Sequence, residues 1–236
     1  MSGKVIKIKP KVLIKMVEER VTGENIAGEF LMPPSYIGSL TLLESAMLLA
    51  FIKVIRPIKV FEFGTFMGHT SVFLARNIDE NGVVYTLDIP CEDVDRKSFD
   101  SKAEEVDHML RLQSVEEQAK CIEKERDEIK AKIVRLLCNS LTFSTSELTK
   151  QCGLIFVDGG HETEIIKSDT QKALEMLSEG GVLVWHDYNS DVFTDVTEFV
   201  DAYSVEHSIF HIAHTNMAFM WPGMEPELLA LHDVNQ

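Results

Sequence analysis

The run Ile58-Lys59-Val60-Phe61-Glu62-Phe63-Gly64-Thr65-Phe66-Met67-Gly68 decides the fold. Its first six residues are mostly β-branched or aromatic, which suits a pleated, half-buried backbone. Gly64 stops the run, and residues 70–76 then read as a helix. Val83-Val84-Tyr85-Thr86-Leu87-Asp88 is a second strand, entered through the turn pair Asn81-Gly82 and ended by Pro90. Strand, helix, strand is the signature of a parallel sheet, because parallel neighbours need a crossover between them.

The alternation resumes downstream. Residues 133–138 are strand-like, and Leu154-Ile155-Phe156-Val157-Asp158 is a buried strand followed by Gly159-Gly160. Residues 164–177 form an amphipathic helix that Gly180-Gly181 is expected to stop. Val182-Leu183-Val184-Trp185-His186-Asp187 is the next buried strand, residues 192–203 are helical, and 208–213 with 217–221 suit an antiparallel terminal pair. Upstream, residues 10–56 read as helical, broken at Pro33-Pro34-Ser35, with Ser39 or Thr41 as the cap of a second helix over 42–55. Residues 1–56 are therefore expected as a helical segment packed on a core domain of residues 57–236. Between the two halves of that domain, residues 91–132 are roughly half charged, with both signs mixed. Val115, Ala119, Ile122, Ile129 and Ile133 keep a helical stripe, so a long, exposed amphipathic helix is expected there. A solvated helix with one packed face, a lid and a dimerisation arm, which would make the protein a homo-oligomer, are its three readings.

The 236 residues are 45% apolar and 26% charged, the profile of a globular domain able to bury its own core. The formal charge of −15 argues against sequence-independent nucleic-acid binding and against an anionic membrane surface, both of which need Lys and Arg. Cys91, Cys121, Cys138 and Cys152 contain no CxxC pair and no zinc-finger spacing, so free thiols in a reducing cytoplasm are expected. The N-terminus lacks the apolar segment of a signal peptide. The longest apolar stretch, residues 46–55, is interrupted by Lys53 and too short to span a bilayer.

Chemistry concentrates where strands end. Gly64 permits a tight turn, Gly68 lets a helix begin close to the strand or a ligand, and that helix N-terminus favours a carboxylate-bearing ligand. The spacing is neither the dinucleotide fingerprint nor a P-loop. Asp88, ending the next strand, suits a ribose because a carboxylate accepts hydrogen bonds from both hydroxyls. Together these point to an adenosine-type cofactor. Asp158 and Asp187 each end a buried parallel strand, the edge at which open α/β sheets bind ligands. If neighbours, they could share one divalent cation with His186 or Asn189 as a further ligand, an oxygen-rich set suited to Mg²⁺ or Mn²⁺. His161, three residues past Asp158, has an imidazole able to take a proton near neutral pH.

Residues 62–71, Glu-Phe-Gly-Thr-Phe-Met-Gly-His-Thr-Ser, resemble the first motif of class I S-adenosylmethionine-dependent methyltransferases, in the form used by small-molecule O-methyltransferases. Phe-Val-Asp-Gly-Gly-His at 156–161, the helix bearing Asp169, and Gly-Gly-Val-Leu-Val-Trp-His-Asp at 180–187 are similar to the macrocin- and sugar-O-methyltransferase group. The resemblance covers about residues 35–90 and 133–221. It departs at His69, where Tyr is more common, at Cys138-Asn139-Ser140, where Gly-Asp-Ser is usual, and at His186, where some metal-dependent members carry Glu.

The resemblance implies an α/β, Rossmann-like, seven-stranded and mostly parallel sheet with helices on both faces and the last strand antiparallel. It implies S-adenosylmethionine as cofactor, with Glu62, Gly64, Thr65 and Gly68 at its amino-acid end, Asp88 at its ribose, and Asn139 and Ser140 near its adenine. It further implies Mg²⁺ or Mn²⁺ on Asp158, His186 and Asp187, with His161 as base beside Asp158. The expected activity is methyl transfer to a hydroxyl of a small molecule, a sugar, polyketide or catechol-like acceptor. The alternatives are a metal-independent N- or peptide methyltransferase, a non-catalytic cofactor-binding protein that recruits a partner through the charged helix, and a relative using the same sheet for another reaction such as hydroxylation.

Overall fold

Parallel strands that are apolar on both faces must be covered on both sides. The computed structural model does this with eight strands: β1 (Ile6–Ile8), β2 (Lys59–Phe63), β3 (Val83–Asp88), β4 (Ile133–Leu137), β5 (Cys152–Val157), β6 (Leu177–Trp185), β7 (Phe210–Ile212) and β8 (Ala218–Met220). They lie in the order β1-β7-β8-β6-β5-β2-β3-β4. Only β8 runs antiparallel, to β6 and to β7. The described residues are 5–21, 27–34, 38–90, 101–117 and 119–234; residues 1–4, Ser35 of the Pro-Pro-Ser break, and Cys91 with the rest of 91–100 in the charged insertion lie outside them.

Side-chain alternation along the central strands divides the core in two. Val60, Phe156 and Val184 face a layer built from α1 (Pro10–Arg20), α2 (Leu42–Ile55), α3 (His69–Asn77) and α9 (Glu225–Val234), with Met16, Phe51, Phe73 and Leu228 at its centre. Phe61, Phe63, Ile155, Leu183 and Trp185 face α7 (Thr163–Met176) and α8 (Thr194–Tyr203), packing on Ile166, Met176 and Val200. Burying each of these large side chains contributes about 1.5–3 kcal/mol. Thr41 starts α2 through a capping box: its hydroxyl accepts from the Glu44 amide, and Glu44 accepts from the Thr41 amide.

The structure departs from the sequence-based expectation at several points, among them α9, which was not expected, and residues 27–34, which are not helical. The N-terminal segment is not wholly helical, because its Lys/Ile alternation forms β1, an eighth strand parallel to β7 with Ile8 buried and Lys7 exposed. A charged, three-residue strand is a usual way to finish a sheet edge. Gly180-Gly181 does not stop a helix; α7 ends at Met176, and β6 runs through both glycines, with a register shift in its pairing with β5. The expected long helix over 91–132 is three helices, α4 (Lys102–Glu117), α5 (Lys120–Glu123) and α6 (Asp127–Lys130), interrupted at Ala119, whose φ is 57°. Ala119 and Ile122 of the expected stripe do pack, against Val72 of α3.

After β2 the chain turns first to β3 and later to β5 on the opposite side, so the strand order reverses between β2 and β5. That switch point opens a crevice beyond the strands' C-terminal ends. The ends of β2 and β5 touch there: the Asp158 amide donates to the Phe63 carbonyl at 3.0 Å, and a Cβ on Gly64 would stand 2.0 Å from the Asp158 carbonyl oxygen. Gly64 also has φ +92°. Gly64→Ala is therefore expected to cost at least about 2 kcal/mol, read as a lower urea midpoint; an unchanged midpoint would mean that these backbones part freely.

Candidate functional site

The crevice holds a cavity of about 800 Å³. Its wall includes Gly64, Thr65, Asp88, Asn139, Ser140, Asp158, His161, His186 and Asp187. Nine of the twelve residues singled out from the sequence thus share one space; Glu62 and Gly68 stand behind its wall, and Asn189 is not among the residues that line it. A Cβ on Gly68 would lie 2.6 Å from Ile122, so this glycine admits α5.

In the first half, Glu62 points toward α3. Its Oε2 accepts from Thr86 at 2.6 Å and from Ser71, and its Oε1 is buried without a hydrogen bond among the described residues. Burial pushes this carboxyl up to about 8, assisted by the nearby Asp158 and Asp88 and opposed by the Ser71 and Thr86 hydroxyls. Asp88 accepts from the Phe66 amide at 2.9 Å, from the Ile89 amide at 2.9 Å and from the Ser114 hydroxyl on α4. Burial raises its pKa against those hydrogen bonds. Asn139 accepts from the Leu141 amide at 3.0 Å and so opens the short 3₁₀ turn Ser140–Thr142. Ser140 bonds to Asp169 of α7, whose carboxyl burial pushes up to about 6.

In the second half, imidazoles and carboxylates alternate. His161 Nδ1 lies 2.7 Å from Asp107 on α4, and Nε2 lies 3.0 Å from Asp187 Oδ2. Its ring stacks on Phe193, with centroids 3.6 Å apart. Burial alone would lower the His161 pKa, but Asp107 and Asp187 outweigh it and raise it to about 9. Arg111 in turn pairs with Asp107 at 2.6 Å. His186 Nδ1 lies 3.0 Å from Asp158 Oδ1 and 3.1 Å from Asp187 Oδ2, and its Nε2 faces Glu44 Oε1 at 3.5 Å. Asp158 and Asp187 diverge: burial raises the Asp158 carboxyl, whereas at Asp187 the His186 and His161 rings overcome burial and lower it. Asp187 also adopts φ 58°, a conformation Asp tolerates better than most residues. One ligand atom each from Asp158, His161 and Asp187 lies within 4.8 Å of the others, so a metal ion could bridge them.

A methyltransferase-domain family model matches residues 61–188, more than half of the chain and the strand ends that line this crevice from Phe63 to Asp187. The chain belongs to this methyltransferase family. No curated protein matches it. Solved structures share its fold at low identity. TomG, an O-methyltransferase of tomaymycin synthesis from Streptomyces achromogenes solved with SAM, aligns at TM-score 0.52 and 13% identity over 90% of both chains. A putative O-methyltransferase from Klebsiella pneumoniae aligns at 0.55 and 13% over 89% of both. A putative caffeoyl-CoA O-methyltransferase from Staphylococcus aureus aligns at 0.55 and 13% over 91% of this chain and 92% of that one. Among the described residues, no helix of this methyltransferase is long and apolar enough to cross a membrane.

Four residues of the site escaped the sequence reading. Asp107 and Ser114 sit in the charged insertion, where nothing distinguishes them from neighbouring polar residues. Phe193 resembles an ordinary core aromatic. Glu44 did carry a signal, the Thr41-x-x-Glu44 capping pattern, but that pattern speaks of a helix start, not of a site. Burial would raise the Glu44 pKa, yet His186 and the Thr41 and Asn216 amides hold it down at about 2.

The His161 pairing has a stability signature. A group whose folded pKa is raised from 6.5 to about 9 contributes stability fully present below about pH 6.5 and lost as pH rises through about 9. The urea midpoint of the wild type is expected to exceed that of His161→Asn near pH 6 and to approach it above about pH 9. A gap independent of pH would refute the ion-pair origin.

Proposed function

We propose that the protein transfers a methyl group from S-adenosylmethionine to a hydroxyl of a small acceptor such as a sugar, a polyketide or a catechol. One observation carries this reading: the adenosine-suited half around Asp88 and the acid–imidazole half around His161 open into a single cavity. Bound there, S-adenosylmethionine would supply a methyl on a cationic sulfur, already activated for in-line displacement. The chain's residues suit it. Glu62 offers a buried, unpartnered oxygen at the amino-acid end, behind the Gly64–Gly68 loop, where α3 begins with no side-chain cap. Asp88 is the ribose acceptor, and the Ser114 hydroxyl already occupies one of its oxygens. Asn139 and Ser140 edge the adenine side.

His161 is the base, and its Nε2 takes the acceptor's hydroxyl proton. Asp107 fixes the ring from behind and Phe193 flattens it, so the nitrogen is oriented before the acceptor arrives; such positioning supplies much of the rate. A divalent cation is part of the proposal, held by Asp158 and Asp187 with His186 Nδ1 about 3 Å from each, although the ligand atoms that lie within 4.8 Å of one another are those of Asp158, Asp187 and His161. It would supply Lewis-acid polarisation of the acceptor oxygen. A second reading, metal-independent transfer, is favoured by the same distances, since they also suit a protonated imidazole between two carboxylates; turnover unaffected by EDTA would select it.

S-Adenosylhomocysteine is expected to bind in calorimetry, with Asp88→Ala weakening it about tenfold or more while Ser114→Ala preserves or improves affinity. No binding to the wild type would overturn the function proposed. With isotopically labelled S-adenosylmethionine and a panel of catechols and vicinal diols, His161→Ala should lower turnover about 10²–10⁴-fold. Because Asp107 and Asp187 keep His161 protonated near neutrality, turnover should rise from about pH 7 toward pH 9. A flat profile would remove His161 as the base.

A further inference from the structure

We propose that Asp158, His161 and Asp187 form a site for a nitrogen-seeking dication such as Zn²⁺ or Co²⁺, and that an ion held there silences the enzyme by taking the nitrogen that serves as base. The inference rests on the base reading of His161 above and goes beyond it in giving that ring a second, competing role.

The donors are already gathered. One ligand atom each from Asp158, His161 and Asp187 lies within 4.8 Å of the others. Within that set, His161 Nε2 and Asp187 Oδ2 stand 3.0 Å apart. Donors about 2.1 Å from one tetrahedral ion are about 3.4 Å apart. The three side chains line the cavity and are 19%, 12% and 15% exposed, so an ion has a way in. Bound there, it would take the place of the Nε2 proton, which passes to solvent. His186 keeps its place as the charged bridge between the two acids.

The residue behind His161 completes the argument. His161 Nδ1 lies 2.7 Å from Oδ1 of Asp107, which is buried on α4 and paired through Oδ2 with Arg111 at 2.6 Å. Phe193 stacks on the ring at 3.6 Å. The ring is thus held from two sides, and an Nδ1–H donated to Asp107 leaves Nε2 as the nitrogen that faces Asp187. A carboxylate behind a ligating imidazole fixes its tautomer and raises its basicity as a ligand. The hydrogen bond that orients a base therefore also prepares a metal ligand, and the class of ion decides between the two roles. Mg²⁺ is served by one or two carboxylates and water, and leaves Nε2 free to act as base. Zn²⁺ readily combines imidazole nitrogen with carboxylate oxygen in three-ligand sites, and Co²⁺ shares its preference for nitrogen.

The test uses the full chain, stripped with EDTA, exchanged into chelator-free buffer and titrated calorimetrically with Zn²⁺ or Mg²⁺, with Co²⁺ as a spectroscopic probe. Zn²⁺ is expected to bind at least about tenfold tighter than Mg²⁺, and bound Co²⁺ to give a visible spectrum that changes in His161→Ala. His161→Ala should weaken Zn²⁺ by about 100-fold or more, while its affinity for Mg²⁺ does not fall. Asp107→Asn should weaken Zn²⁺ about 10–100-fold, with the metal-free melting temperature of each variant checking that the fold survives. With labelled S-adenosylmethionine and an acceptor that turns over, one equivalent of Zn²⁺ should abolish turnover, and excess EDTA followed by Mg²⁺ should restore it. Zn²⁺ held as tightly by His161→Ala as by the wild type, or no Zn²⁺ bound at all, overturns the inference and leaves the base reading standing. Zn²⁺ held through His161 with turnover intact overturns both.

Discussion

Three carboxylates, the buried Glu44 and the half-buried Asp158 and Asp187, surround one imidazole, that of His186. Buried charge is tolerable only when compensated, and this requirement organises the C-terminal edge of the sheet. It explains why α2 begins where it does, because the residue that completes the Thr41 capping box also faces His186. It explains the left-handed backbone at Asp187, which turns the carboxylate back between His161 and His186. Removing any one member would strand a partner without its counter-charge, so the group acts as a unit and the effects of its substitutions will not add.

The charged insertion belongs to the same system. A surface helix ordinarily buries an apolar stripe, yet the two fully buried residues of α4 are Asp107 and Ser114, seven positions and about two turns apart on one face. Asp107 reaches the acid–imidazole half of the cavity and Ser114 reaches Asp88 in the other half. Its apolar contacts, from Ala103, Val106 and Leu110, are only partly buried. Such a helix is held mainly by polar bonds to the site, and these exchange with ligand groups at far smaller cost than a packed core does. α4 thus lies along the cavity and touches both of its halves.

The parallel strands were legible because each is a short apolar run closed by a turn residue, and β2, β3, β5 and the core of β6 all lie where that pattern puts them. The C-terminal edge followed from the same reading, since Asp88, Asp158 and Asp187 terminate those runs. Less was legible where tertiary contacts decide. Gly180-Gly181 looks like a helix stop, but the sheet absorbs the pair as an irregularity because β5 offers a partner on that side. The short β1 alternates only Lys and Ile, too few residues to signal a strand without β7 beside it. The helical stripe across 91–132 is real at Ala119 and Ile122, yet it cannot reveal the left-handed residue at Ala119 that divides it. Asp107 and Glu44 were hidden for a related reason: their roles arise from elements distant in sequence, and a single carboxylate in a charged run or a helix cap carries no mark of what it will face.

Glu62 is the least compensated carboxyl of this edge. A carboxyl raised from 4.5 to about 8 is mostly protonated at neutral pH, and it opposes folding increasingly from about pH 4.5 to pH 8, as the unfolded state ionises and the folded one does not. The Ser71 and Thr86 hydroxyls satisfy only one of its oxygens, leaving Oε1 without a hydrogen bond among the described residues. A sequence selected for stability alone would place an apolar residue here, as Val60 is two positions earlier on the same face. A cationic ligand group brought near Oε1 would restore ionisation and recover the free energy of the missing bond. On the function proposed above, the residue that weakens the fold would strengthen it once a cationic group such as an amino-acid ammonium lay against Oε1.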